Sequence, residues 1–307
     1  MTNLDPKAKE FVEAFYQMPL LQTLKPQEVR DMFAQAPPIE VELAPLAKVE
    51  DRKIPVDDAE INIRIYTPEG DGPFPLFIYY HGGGWVIGDI ETSDASCRMI
   101  ANQTGRVVVS VDYRLAPEYK FPIPLQDSYT ALTWVSENAA SINGSASDIV
   151  VGGDSAGGNL STVVSMMSRD LNGPKISAQV LLYPVTDLSY STPSYQEFSE
   201  GFGLDKDLMI WFGNYYINNE LDAKNIYVAP LLANDLSNLP PAFVVTAEND
   251  VLKDEGIAYA NRLQDAGVKV ESYTEPGLVH GFFTNMALFP EHIKGTIFNM
   301  NRFLKTL

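Results

Sequence analysis

The chain predicts an α/β protein built on a mostly parallel sheet with helices on both faces. Short, continuous apolar runs recur at Leu76 to Tyr80, Val107 to Val111, Ile149 to Val151, Val180 to Tyr183 and Phe243 to Ala247. Strands buried on both faces read this way, whereas half-exposed strands alternate. Stretches of helical period separate the runs, which is the βαβ pattern of a parallel sheet. At 307 residues, with 45% hydrophobic and 20% charged residues, the chain can bury a large core.

The elements follow in order. Asp5-Pro6 is a helix-start signal, and Phe11, Ala14, Phe15 and Met18 follow at helical spacing. A second start stands at Thr23, with Val29, Met32 and Phe33 on one face, and Ala36-Pro37-Pro38 ends it. Ile61 to Tyr66 alternates with period two, as a half-buried strand does, and Val268 to Tyr273 has the polar alternation of an edge strand. Between Asp187 and Leu221 no strand is predicted. Instead Asp205 opens a helix carrying Leu208, Trp211, Phe212 and Tyr215. Long insertions between sheet strands are usually functional. We expect residues 1–45 and 188–221 to form a helical cap over an α/β domain of residues 46–187 and 222–307. Such a cap would cover the strand ends where open α/β sheets bind ligands. Phe15, Leu208, Trp211 and Phe212, with Trp85, are the expected apolar contacts of a substrate.

A net charge of −18 and a pI near 4.5 repel phosphate backbones and anionic headgroups, which argues against nucleic-acid partners. The single cysteine, Cys97, allows no intrachain disulfide, and its helical spacing with Ile100, Ala101 and Thr104 reads as a core position. The N-terminus lacks the apolar core of a secretory signal, and no apolar run nears the ~20 residues of a membrane helix. A soluble, cytoplasmic protein without membrane insertion is expected.

Gly153-Asp154-Ser155-Ala156-Gly157 fits G-x-S-x-G, and its flanks decide its value. The strand Asp148 to Val151 precedes it, and Leu160, Val163, Val164, Met167 and Leu171 trace a helical stripe after it. A serine on so tight a strand-to-helix turn is placed as a nucleophile, with a helix N-terminus behind it to favour developing negative charge. Phosphate cradling would need a Walker lysine or G-x-G-x-x-G after the first strand, and neither is present.

Three histidines compete for the role of general base. His81 precedes three glycines in another loop, and His292 sits in a C-terminal helical stretch where a solvated side chain is expected. His280 follows the last strand after the loop Glu275 to Val279, the place this order of elements reserves for the base. For the acid, Asp254 and Glu255 suit the first turn of a helix, where the dipole favours them. That leaves Glu248 and Asp250 at the end of the preceding strand, with Asp250 preferred. The order Ser155, Asp250, His280 is that of α/β-hydrolases.

His81-Gly82-Gly83-Gly84-Trp85 follows the strand Leu76 to Tyr80, and backbone N–H groups of Gly82 or Gly83, with Ala156, are the expected oxyanion donors. With these motifs in place, and with Val111-Asp112-Tyr113-Arg114-Leu115-Ala116-Pro117-Glu118, Asp250 to Gly256 and His280-Gly281-Phe282, nearly the whole chain resembles the hormone-sensitive lipase family, bacterial carboxylesterases included. The resemblance implies an α/β-hydrolase fold with a helical cap. It places the catalytic triad on Ser155, Asp250 and His280, and the oxyanion glycines on Gly82 and Gly83. It further implies hydrolysis of short- to medium-chain acyl esters through an acyl-enzyme, with no metal or cofactor and a small-molecule ester as partner. Family members often dimerise through an edge strand, which makes Val268 to Tyr273 the expected contact of a homodimer. One departure is Val251, where the family usually carries proline, so the Asp250 loop is expected to be less stiff. Plant gibberellin receptors resemble the same family but lack the catalytic histidine, and His280 weighs against a receptor. The triad alone does not separate esters from amides, lactones or carbamates.

Overall fold

The computed structural model describes residues 4–36 and 41–307; Pro37 and Pro38, expected to end the second helix, lie outside them. The chain opens with helix α1 (Pro6–Phe15), a 3-10 turn at Leu21–Thr23 and helix α2 (Pro26–Gln35). Strands β1 (Lys48–Val56), β2 (Ala59–Thr67) and β3 (Phe74–Tyr80) follow. Helix α3 (Ile90–Thr104), β4 (Val107–Asp112), α4 (Ile123–Asn138), β5 (Gly144–Asp154) and α5 (Ala156–Asp170) then alternate. After β6 (Ala178–Leu182) come α6 (Pro193–Glu197) and α7 (Lys206–Tyr216). The chain ends with β7 (Ala242–Asn249), α8 (Lys253–Asp265), β8 (Val270–Val279) and α9 (Pro290–Leu304).

The eight strands form one sheet in the order β1-β2-β4-β3-β5-β6-β7-β8. Pairings β1–β2 and β2–β4 are antiparallel, and the other five are parallel. Successive residues of the central strands face opposite sides. Ile78, Val109 and Val151 pack with Leu132 of α4 and Leu160 and Val163 of α5. Phe77, Val108 and Val150 pack with Ile100 of α3 and Ile297 of α9. Burial on both faces is why these strands read as unbroken apolar runs.

β3 leads outward to β4, and the chain then crosses back to β5 on the other side of β3. This reversal is a topological switch point, beyond the carboxyl ends of the strands, where ligands of open α/β sheets bind. The stretch after β3 begins with His81, and the one after β5 with Ser155.

Several sequence expectations are revised. β1 had no apolar run to announce it, because Ile54 is its only buried residue. The second helix starts at Pro26 with Lys25 as N-cap, and Thr23 belongs to the preceding 3-10 turn. Asp5 does cap α1, its carboxylate accepting from Lys7 N, but Met18 lies beyond the helix and Ala14 faces solvent; Ala8 and Val12 make the buried stripe. β8 begins at Val270 and runs through Val279, so Glu275 to Val279 is strand rather than loop, reached by a register shift opposite Ala247 and Asn249. β8 does lie at the sheet edge. Cys97 is buried, and burial pushes its thiol well above the ordinary value.

The N-terminal helices and the β6–β7 insertion meet. The Tyr16 hydroxyl donates to Asp205 Oδ1 at 2.6 Å, and Trp211 Nε1 donates to the Leu24 carbonyl at 3.2 Å. α1 also reaches the far edge, where Asp5 N donates to the Gly277 carbonyl and Phe11 packs edge-on against Phe289.

Candidate active site

Ser155 occupies the single residue between β5 and α5, at φ 55° and ψ −117°. A non-glycine residue at positive φ is strained, and the strain is held here by close packing on either side. A Cβ at Gly153 or Gly157 would strike the Tyr80 carbonyl, so both glycines are required by the approach of β3 to the turn. Ser155 N is tied to the Leu182 carbonyl.

His280 Nε2 lies 2.9 Å from Ser155 Oγ, and His280 Nδ1 lies 2.7 Å from Asp250 Oδ2. Asp250 is buried, and its other oxygen accepts from Leu252 N at 2.9 Å. The acid and base loops are stitched together. Gly277 N donates to Glu248 Oε2 at 2.6 Å, and Asn249 Nδ2 donates to the Leu278 carbonyl at 3.3 Å. Glu248, the rival acid, is thus engaged with the backbone of Gly277, while Asp250 takes the histidine. The Tyr183 ring flanks His280 with centroids 4.6 Å apart. Val251 is fully buried, and its carbonyl accepts from Ser194 Oγ, so packing and a hydrogen bond hold the loop that lacks the expected proline. His81 is buried in its own loop, and His292 lies on α9 with Nδ1 3.6 Å from Glu275.

The glycine loop shows which amides are free. Gly82 N donates to Asp154 Oδ1 at 3.0 Å, so Gly82 is not available as an oxyanion donor and the expectation for it is corrected. The Gly83, Gly84 and Ala156 N–H groups donate to no protein acceptor among the described residues. Their directions are fixed through the peptide planes, because the N–H of a trans peptide points opposite to its carbonyl. The Gly82 carbonyl receives His81 Nδ1 at 2.7 Å, which sets the Gly83 N–H. The Gly83 carbonyl receives Val86 N and Ile87 N at 3.1 and 2.9 Å, which sets the Gly84 N–H. Asp154, whose identity the motif leaves open, also accepts from the Tyr79 hydroxyl at 2.7 Å. Burial pushes the Asp154 carboxyl above its usual range, against the Tyr79 bond.

The apolar residues expected around a substrate divide. Phe15, Leu208, Trp211 and Phe212 join one cluster, and the Phe212 ring lies directly over Gly84, where a Cβ would collide with it. Trp85 departs from expectation. Its ring has no accessible surface and stacks on Tyr216 with centroids 4.2 Å apart and planes 5° apart, so it is taken up by the core. A cleft of about 750 Å³ opens between Tyr16 and the segment from Ser199 to Asp207, lined by Glu200, Asp205 and Asp207 and by no triad residue. Among the described residues no helix is long and apolar enough to cross a membrane.

A family profile described as alpha/beta hydrolase fold matches residues 77–284. An arylesterase of Saccharolobus solfataricus is 40% identical over 286 residues, spanning 91% of this chain and 92% of its own. Carboxylesterase NlhH of Mycobacterium tuberculosis is 42% identical over 261 residues, 83% of this chain and 82% of its own. The structure of a hyperthermophilic esterase from Pyrobaculum calidifontis superposes with a TM-score of 0.87 at 38% identity, covering 98% of this chain and 99% of that one. The chain therefore belongs to the hormone-sensitive-lipase-like family of α/β-hydrolases and is a carboxylic-ester hydrolase.

Proposed function

We propose that the chain cleaves short- to medium-chain acyl esters through an acyl-enzyme on Ser155. The continuous hydrogen-bonded line from Ser155 Oγ through His280 to buried Asp250 carries this reading. His280 Nε2 accepts the serine proton as Oγ attacks the ester carbonyl, and Asp250 holds the ring so that Nδ1 carries its own proton. The carbonyl oxygen becomes an oxyanion facing the N–H groups of Gly83, Gly84 and Ala156, the last at the N-terminus of α5. Collapse expels the alcohol, which takes the proton from His280. Water then repeats the sequence on the acyl-serine and releases the acid.

Residues 1–45 and 188–221 act as the cap, with Phe15, Leu208, Trp211 and Phe212 bounding the acyl site. The proposal extends to self-association through the β8 edge, which sedimentation tests. The central test is Ser155→Ala. Loss of a triad member costs on the order of 10⁴-fold in kcat. The variant should keep its circular dichroism spectrum and lose labelling by an organophosphate. A tenth of normal kcat in the variant removes Ser155 from the mechanism.

A further inference from the structure

The oxyanion loop is held from outside the catalytic domain by one side chain. Arg30, on α2, donates from Nε to the Val86 carbonyl at 2.8 Å and from Nη2 to the Ala116 carbonyl at 2.6 Å. Its two terminal nitrogens also grip Glu118, Nη1 to Oε1 at 3.0 Å and Nη2 to Oε2 at 2.9 Å. The two carbonyls belong to segments that are themselves joined, since Ala116 N donates to the Trp85 carbonyl at 2.8 Å.

Val86 is also the residue whose amide, with that of Ile87, holds the Gly83 carbonyl and thereby aims the Gly84 N–H. A chain of direct contacts thus runs from the Arg30 guanidinium to Val86, from Val86 N–H to the Gly83 carbonyl, and through one rigid peptide plane to the donor. From below, Asp154 fixes Gly82. From above, the turn Trp85-Val86-Ile87 has Arg30 as its side-chain anchor. A planar guanidinium suits the task, because its fixed fork meets two carbonyls and a carboxylate at once; a lysine ammonium cannot span the same set.

We infer that Arg30 is a positioning residue for catalysis, a cap-borne clamp that keeps the Gly84 amide aimed at the reacting carbonyl oxygen. The inference rests on the proposed oxyanion site. It gives α2 a role separate from walling the acyl pocket: the N-terminal segment completes the transition-state machinery of a domain that begins later in the chain.

The two roles separate experimentally. A wall residue changes the preference among chain lengths. A clamp on an oxyanion donor lowers turnover of every ester alike, because all share the carbonyl oxygen. Removing an oxyanion donor outright costs about 10²- to 10³-fold in kcat. Loosening one should cost a part of that, so Arg30→Met is expected to lower kcat about tenfold or more with KM changed less than about threefold, equally for acetyl and hexanoyl esters. Arg30→Lys should fall between, and so should Glu118→Gln, which leaves both carbonyl contacts in place. A trifluoromethyl ketone, which forms a tetrahedral adduct on the serine, should bind the Arg30 variants more weakly in proportion to their lost kcat/KM. Guanidinium at tens of millimolar should restore part of the turnover of Arg30→Ala.

A purely structural role would lower the melting temperature and leave kcat and ketone affinity of the folded protein unchanged. That result, in Arg30→Met or, where Arg30→Met does not fold, in Arg30→Lys, overturns the inference. So does a loss that varies with acyl length. If the ketone fails to inhibit the wild-type enzyme, the oxyanion reading itself has failed, independently of Arg30.

Discussion

Replacing Glu255 by glutamine isolates the effect of a carboxyl that the fold buries completely. Glu255 Oε1 accepts from Thr186 N at 2.7 Å and Asp187 N at 3.2 Å, while Oε2 has no partner among the described residues. Burial pushes its pKa well above the ordinary glutamate value; the two amides oppose the shift, and the charges of Asp187 and Asp250 add to it. A carboxyl whose folded pKa exceeds its unfolded one holds its proton more tightly in the native state. The resulting stability is fully present below the unfolded value of about 4.3 and drains away as pH rises toward the folded value. Glutamine keeps an oxygen for the two amides and has no proton to lose. The stability of Glu255→Gln relative to wild type should therefore be flat below about pH 4 and then climb by about 1.4 kcal/mol per pH unit, until pH reaches the folded pKa. Over two such units the gap is about 2.7 kcal/mol, several-fold larger than the error of a urea midpoint. Urea unfolding of both proteins at intervals from about pH 4 to about pH 8 measures it. The unpaired amide of the variant adds only a constant offset, so the slope is the readout. Parallel curves would show that Glu255 is as well solvated as in the unfolded chain and would refute the reasoning.

His280→Asn should lose on the order of 10⁴-fold in kcat, while His292→Asn, on α9 and in contact with Glu275 and the Phe289 ring, should stay within about twofold of wild type. A large loss at His292 would show that the base was misassigned. Phe212→Ala removes the ring that covers Gly84 and should move the preferred ester toward longer acyl chains, each newly buried methylene being worth about 0.8 kcal/mol, or about fourfold in kcat/KM. It should also cost about 3 kcal/mol of stability, so the profile is taken well below the melting transition; an unaltered chain-length profile excludes Phe212 from the acyl site.

The parts of the fold legible in the sequence were those that local chemistry dictates. Buried parallel strands must be continuously apolar, and a nucleophile on a sharp turn must have glycines beside it, so the five central strands and the position of Ser155 could be read directly. β1 could not, because an edge strand with one buried residue leaves no periodic trace. Glu255 does stand in the first turn of α8, as expected, but its burial left no trace in the sequence. Only the packing of α8 against Thr186 and Asp187 reveals it. Gly82 was chosen as a donor because three adjacent glycines are equivalent in sequence; the carboxylate of Asp154, 72 residues later, makes them unequal. Trp85 was taken for a substrate contact because nothing local says that Tyr216 will cover it. Arg30 carried no motif at all.

The bond between Tyr16 and Asp205 joins residues 189 positions apart, and that between Leu24 and Trp211 spans 187. During synthesis the first two helices leave the ribosome long before their partners on α7 exist. Helices of ten residues are marginal alone in water, so this segment must wait, with Phe11, Phe15 and Met32 uncovered, through most of translation. Its docking closes very long loops and has to follow assembly of the sheet. The portion of the chain made first is thus expected to become native last. In a refolding experiment, esterase activity should lag behind the recovery of sheet structure, by the time the amino-terminal helices take to find their place.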